Sequence, residues 1–154
     1  MPSELVHEVP LSERLFAGHL QTFSLPMEAI KPSRKVKRTE RGWGAHYICA
    51  EDCRFRRNTL LECEDTRVVV STVGNYTPGD GCKTETIGSD RYYETMVFHA
   101  EFEDPYWDAD VSRQITCPGK WKIATLRREA DHEANLMHED AVEAITQQLL
   151  RGIL

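Results

Sequence analysis

The run Val68-Val69-Val70-Ser71-Thr72-Val73 constrains the fold most. Its β-branched side chains are stiff at χ1 and suit a pleated sheet better than a helix. A strand needs a neighbour, and the segment from Cys53 to Cys63 offers one. There Phe55, Arg57, Thr59 and Leu61 share one side, while Arg54, Arg56, Asn58 and Leu60 share the other. Glu64-Asp65 leaves room for a tight turn, so the two strands are expected to pair antiparallel. Further alternating runs follow. Trp43 to Cys49 reads as a strand ahead of these two. Arg91 to Phe102 reads as a long one, with Tyr92, Met96, Phe98, Ala100 and Phe102 toward the core. Trp107 to Cys117 reads as another, with Arg113 on its apolar side, and Trp121 to Ala124 as a short return. Pro78-Gly79-Asp80-Gly81 and Pro118-Gly119 punctuate the series as turns.

The period then changes. Ala130, Ala134, Met137, Ala141, Ile145 and Leu149 recur at spacings of three and four, which predicts one helix with a single buried stripe. Asp131 is the expected N-cap and Gly152 the expected stop. Leu136, Val142 and Leu150 lie off the stripe and are candidates for self-association. Strands followed by one helix predict an α+β domain, an antiparallel meander with a long C-terminal helix packed on it. A chain of 154 residues suits one such domain.

Residues 1–41 read as an N-terminal arm and 42–154 as the domain proper. Leu11, Leu15, Phe16 and Leu20 suggest a short helix in the arm, and Pro26 and Pro32 interrupt any regular element after it. Residues 31–41 carry Lys31, Arg34, Lys35, Lys37, Arg38 and Arg41 against Glu40, although the chain as a whole has net charge −6. That stretch suits an anion site, a dock for an acidic partner or a solvated linker. The acidic remainder argues against duplex DNA as a partner. Five cysteines with no CxxC pair point to reduced thiols, a cytoplasmic setting and no structural zinc. No membrane-length apolar run and no secretory pattern is present, so no membrane partner is expected.

Catalytic templates are missing: there is no GxSxG, Walker loop, HExxH or GxGxxG. No catalytic residue, metal or cofactor is therefore expected. Arginines inside strands are more informative. Arg56, Arg57, Arg91 and Arg113 could converge on phosphate oxygens, which guanidinium forks match two at a time. Asn58 lies beside them. Tyr92 and Tyr93 offer faces for a base, and Asp108 and Asp110 could take ribose hydroxyls. Salt bridges to the chain's many acids would account for the same arginines.

Five segments carry a family resemblance: Arg41-Gly42-Trp43-Gly44, Phe55-Arg56-Arg57-Asn58-Thr59-Leu60-Leu61, Val70-Ser71-Thr72-Val73-Gly74, Arg91-Tyr92-Tyr93-Glu94-Thr95-Met96 and Asp108-Ala109-Asp110-Val111-Ser112-Arg113. Together they resemble the first class of phage Thoeris anti-defence proteins over roughly residues 38–150. The resemblance implies an oligomeric sponge in the host cytoplasm. It would sequester a cyclic ADP-ribose-type signal, a small cyclic nucleotide, without cleaving it. Two rivals stand beside it. One is a protein-binding inhibitor of a bacterial defence complex such as an anti-CRISPR, using the acidic body. The other is a small nucleotide hydrolase using His99 or His46 with Asp108.

Overall fold

The computed structural model describes residues 33–42 and 46–154, which belong to one unit running from Pro32 to Leu154. Six strands form one antiparallel sheet: β1 Lys37–Arg41, β2 Cys53–Cys63, β3 Thr66–Tyr76, β4 Tyr93–Glu103, β5 Tyr106–Gln114 and β6 Lys122–Ile123. The order is β1-β2-β3-β4-β5, and β6 also pairs with β4. The helix α1, Ala130–Arg151, packs on the sheet. The expected α+β meander with a C-terminal helix is the fold observed.

The face toward α1 carries the odd residues of β2, the even residues of β3 and the odd residues of β4. Leu61, Cys63, Val68, Val70 and Val97 form one cluster with Ala141, Val142, Ile145 and Leu149. Tyr93 and Ile123 form a second with Ala130, Ala134 and Met137. Every residue of the expected helical stripe is buried, and Gly152, at φ 68°, ends the helix. Ile145 is fully buried. Ile145→Ala is expected to cost roughly 3 kcal/mol through lost transfer energy and a residual cavity, read as a lower urea midpoint at unchanged slope.

The second face is buried too. Asn58, Leu60, Val69, Ser71, Val73, Glu94 and Phe98 all lie there at 7% exposure or less. This corrects the expected facing of β4. Met96 and Phe98 do lie opposite Tyr93, Thr95 and Val97, but it is the latter three that meet the helix. With both faces covered, alternation no longer marks an inside and an outside. A flat sheet would hold β1 and β5 about 19 Å apart, four strand spacings. Yet Arg41 on β1 donates to the Trp107 carbonyl on β5, and the Arg67 guanidinium lies 4.4 Å from the centre of the Trp107 ring. The sheet therefore coils until its ends approach across the second face.

Several expectations are corrected. Residues 37–41, read from the sequence as the end of the arm, form edge strand β1, paired to β2 from Lys37↔Glu62 to Arg41↔Asn58. Alternate charges do not prevent pairing where each finds a partner: Lys37 meets Glu62 at 2.9 Å and Arg38 meets Glu139 at 2.8 Å. The strand expected from Trp43 to Cys49 is not formed over its described part. His46 to Cys49 turns into a short 3-10 helix, Ala50–Asp52, through the local bonds Ala50 N to Tyr47 O and Asp52 N to Cys49 O. Trp43, Gly44 and Ala45, and the helix expected around Leu11 to Leu20, lie outside the described residues. The register between β4 and β5 shifts between Phe98 and Ala100. The shift breaks the long expected alternation, so Val111 and Arg113 are exposed. Glu129, not Asp131, sits at the N-cap of α1, without a side-chain bond to the helix. Val142 is buried in the core, which leaves Leu136 and Leu150 as the exposed leucines of α1.

A polar chain runs through the interface between helix and sheet. His138 is fully buried, with Nε2 at 2.7 Å from Thr59 Oγ1 and Nδ1 at 2.7 Å from Thr72 Oγ1. Thr59 in turn donates to Glu40 at 2.9 Å, and Thr72 lies 2.7 Å from Thr95 Oγ1. An ionised carboxylate only accepts, so the Thr59 hydrogen points at Glu40. His138 Nε2 must then carry the ring proton, and Nδ1 accepts from Thr72. The neutral imidazole satisfies every member of the chain. Burial, chiefly, holds the His138 pKa down to about 4.

Candidate functional site

At one end of the sheet, an open pocket of about 470 Å³ lies beside the start of α1. Its lining comes from four places: Arg54 at the start of β2, Asn75 and Thr84 around the end of β3, Tyr93 at the start of β4, and Leu126, Arg127, Arg128 and Asp131 around the helix N-terminus. Asn75 adopts the left-handed conformation, φ 52°, that this residue type tolerates well. Its side-chain oxygen accepts from Thr84 Oγ1 at 3.1 Å, which ties the following loop to the rim.

Tyr93 is the hub. It pairs directly with Gly74, and its ring occupies the space that a side chain at Gly74 would need. The ring meets Phe55 edge-on at 5.7 Å. The phenol donates to Asp131 at 2.5 Å. Burial, with the Asp131 carboxylate adding to it, raises the phenol pKa well above its ordinary value, so the hydroxyl stays protonated. One oxygen of the pocket's one carboxylate thus already accepts a hydrogen bond.

The three arginines of the lining are all exposed. Arg54 donates to the Gly81 carbonyl at 2.7 Å. Arg127 reaches Glu133 at 3.2 Å. Arg128 makes no ion pair with any described residue. The N-terminal end of a 22-residue helix adds partial positive charge in the same place. Cations just ahead of a helix N-terminus are unfavourable for the helix by a few tenths of a kcal/mol each; Arg127 offsets this through Glu133 in the first turn, and Arg128 has no such acid among the described residues. That mismatch is a signal the sequence itself carries.

The residues expected to form one site are dispersed, apart from Tyr93. Arg57 is held between Glu40 at 3.2 Å and Glu139 at 2.8 Å. Those acids also bind Arg38, and the pair of arginines draws the Glu139 pKa down to about 2. Arg91 is neutralised by Asp90 at 2.8 Å and by Glu94. Arg56 is exposed and, by strand alternation, points away from Arg57. Asn58 is buried on the second face, where it accepts from Arg41 Nε at 2.8 Å. Tyr92 is half-buried against the Tyr93 cluster. Asp108 accepts from the Ala109 N–H at 2.7 Å, and Asp110 accepts from Ser112 N at 3.0 Å and Oγ at 2.5 Å. These two aspartates cap backbone donors of edge strand β5. Arg113 is exposed. The two histidines of the hydrolase reading are also apart. His46 bonds Ser71 Oγ at 2.9 Å on the second face, and His99 belongs to the helix face of β4. Among the described residues no cluster of His, Cys, Asp and Glu could hold a metal ion, and no helix is long and apolar enough to cross a membrane.

Comparison with protein-family models, with curated proteins and with solved structures finds no match for this chain.

Proposed function

We propose that the chain binds a phosphate-bearing nucleotide in the pocket at the start of α1 and holds it without turning it over. The observation that carries this reading is that Arg54, Arg127 and Arg128 line one cavity of about 470 Å³, Arg128 with no ion pair among the described residues. That volume is within the range that encloses small ligands. The cations fit phosphate oxygens, Asn75 and Thr84 offer polar groups for hydroxyls, and the Asp131 carboxylate is already bonded to Tyr93. This relocates the arginine site suggested by the strand pattern and keeps its chemistry. Sequestration of a cyclic ADP-ribose-type signal by an oligomer, the role implied by the resemblance to Thoeris anti-defence proteins, is the specific form proposed.

Calorimetric titration with cyclic ADP-ribose isomers tests it, followed by heating and assay of the released compound. Binding with recovery of intact ligand is the expected result. Arg54→Glu and Arg128→Glu should each weaken binding about ten-fold or more, the loss of one charge-assisted contact of roughly 1.5–3 kcal/mol. Altered ligand in the supernatant would mark an enzyme. Unchanged affinity in both variants would move the site elsewhere.

One observation favours a second reading, inhibition of a protein partner. The β4–β5 hairpin carries exposed Glu101, Glu103 and Asp104 beside Phe102 and Tyr106, which are 56% and 48% exposed. Acids beside exposed aromatics suit a basic protein surface. Loss of partner inhibition in Phe102→Ala with ligand binding intact would establish it.

A further inference from the structure

A second cavity, of about 410 Å³, lies between α1 and β6 on the other side of the segment that carries Arg127. We infer that it receives an extended peptide with alternating apolar and acidic side chains, added as a strand to the outer edge of β6. The backbone supplies the first part of the argument. Thr95 donates to the Trp121 carbonyl at 2.9 Å and Tyr92 to the Ile123 carbonyl at 2.8 Å. Residues 121 and 123 therefore turn toward β4, and the intervening Lys122 turns its N–H and C=O to the opposite side. There β6 has no second strand neighbour among the described residues. Such an edge is a template for a further strand.

The side chains set what that strand must be. Ile123 points to the helix, where it clusters with Met137. The adjoining helix wall presents Leu136, which is 53% exposed. Residues of an added strand that point this way would bury apolar groups, and Glu133 and Asp140 on the same wall disfavour acids there. By the period of two, Lys122 turns its side chain to the other side of the strand, and Lys120, two residues earlier and also exposed, lines the cavity. Asp90 approaches Lys122 only at 3.8 Å. Acidic side chains of the incoming strand would lie opposite Lys122, where cross-strand pairs of opposite charge are favourable. Charge complementarity on one side and an exposed leucine on the other select an alternating apolar and acidic peptide over a uniformly charged one.

The test uses three blocked, fluorescein-labelled hexapeptides: alternating valine and glutamate, alternating valine and lysine, and the first with a central proline. The full chain should raise the anisotropy of the valine–glutamate peptide saturably and leave the other two unbound. The Lys122 amide should shift in a nitrogen-15 spectrum. Leu136→Glu, at an exposed position, should weaken binding at least ten-fold while the melting curve is unchanged. Lys122→Glu should transfer preference to the valine–lysine peptide. No saturable binding of the valine–glutamate peptide, equal binding of the proline or lysine peptide, or full affinity in Leu136→Glu would each overturn the inference. Arg54→Glu and Arg128→Glu, which line the other pocket only, should leave peptide binding unchanged, so this result stands or falls apart from the nucleotide reading.

Discussion

Gly74→Val is expected to destabilise the protein by about 3 kcal/mol or more and to abolish the proposed nucleotide binding together with the fold of the pocket. Gly74 sits in β3 directly opposite Tyr93 in β4, and the tyrosine ring lies flat across the place of its missing side chain. Even a methyl group there would collide with ring carbons. Tyr93 cannot retreat, because it is 1% exposed, packed edge-on against Phe55 and bonded to Asp131 on the helix. Overpacking a closed core typically costs 1–3 kcal/mol, and displacing a buried aromatic adds the loss of its own burial. Gly74→Ala should show the same effect at smaller size. Paired substitution of Gly74→Ala with Tyr93→Leu should recover part of the stability while leaving the pocket without its phenol. Denaturant midpoints for the series decide it. An unaltered midpoint in Gly74→Val would show that the ring has somewhere else to go.

Acid is expected to weaken the fold well before the carboxylates protonate. His138 and His46 both have their pKa values lowered to about 4, in each case mainly by burial. Around His138, Arg57 and Arg38 oppose a positive imidazole, while Glu40 and Glu139 favour one. For His46, Arg91 adds to the opposition. Unfolding returns each ring to a pKa near 6.5, so the unfolded chain takes up protons that the folded chain refuses. The stabilisation is complete above pH 6.5 and drains away as pH falls toward 4. At roughly 1.4 kcal/mol per unit, the fully buried His138 accounts for about 3 kcal/mol of that loss. Below pH 4.5 the depressed Glu139 adds to the same trend. Urea denaturation at pH 7, 6, 5 and 4.5 measures the slope. His138→Gln retains a donor and an acceptor toward Thr59 and Thr72 without a titrating ring. It should roughly halve the slope between pH 6.5 and 4.5, His46 supplying the remainder, and a profile identical to that of the unaltered chain would refute the assignment.

The elements whose pattern depended only on local chemistry were legible in the residues. The β-branched run at 68–73, the turn at Glu64-Asp65 and the helical stripe from Ala130 to Leu149 all appear where the sequence placed them. The facing of β4 was not, because a strand buried on both sides offers no polar side to read. Tyr93, Thr95 and Val97 looked like an outer face because they share a side with Arg91, His99 and Glu101, and because Thr95 is itself polar. The structure shows its partner there, Thr72. The strand arginines misled for a related reason. Arg91 meets its sequence neighbours Asp90 and Glu94, whereas Arg57 meets acids from distant parts of the chain, Glu40 and Glu139, the latter on the last helix. Spacing cannot reveal such pairs. The pocket arginines could be found only by asking why Arg127-Arg128 stand where the helix dipole resists them.

The order of elements along the chain also bears on how the protein is made. All six strands leave the ribosome before α1, so Leu61, Val68, Val70 and Val97 wait without their cover until Ile145 and Leu149 arrive. Neighbouring strands are neighbours in sequence, which lets the hairpins zip early. The nascent sheet therefore passes through a stage of correct pairing and bare apolar surface. During that stage chaperone capture and premature sticking compete for the same patch.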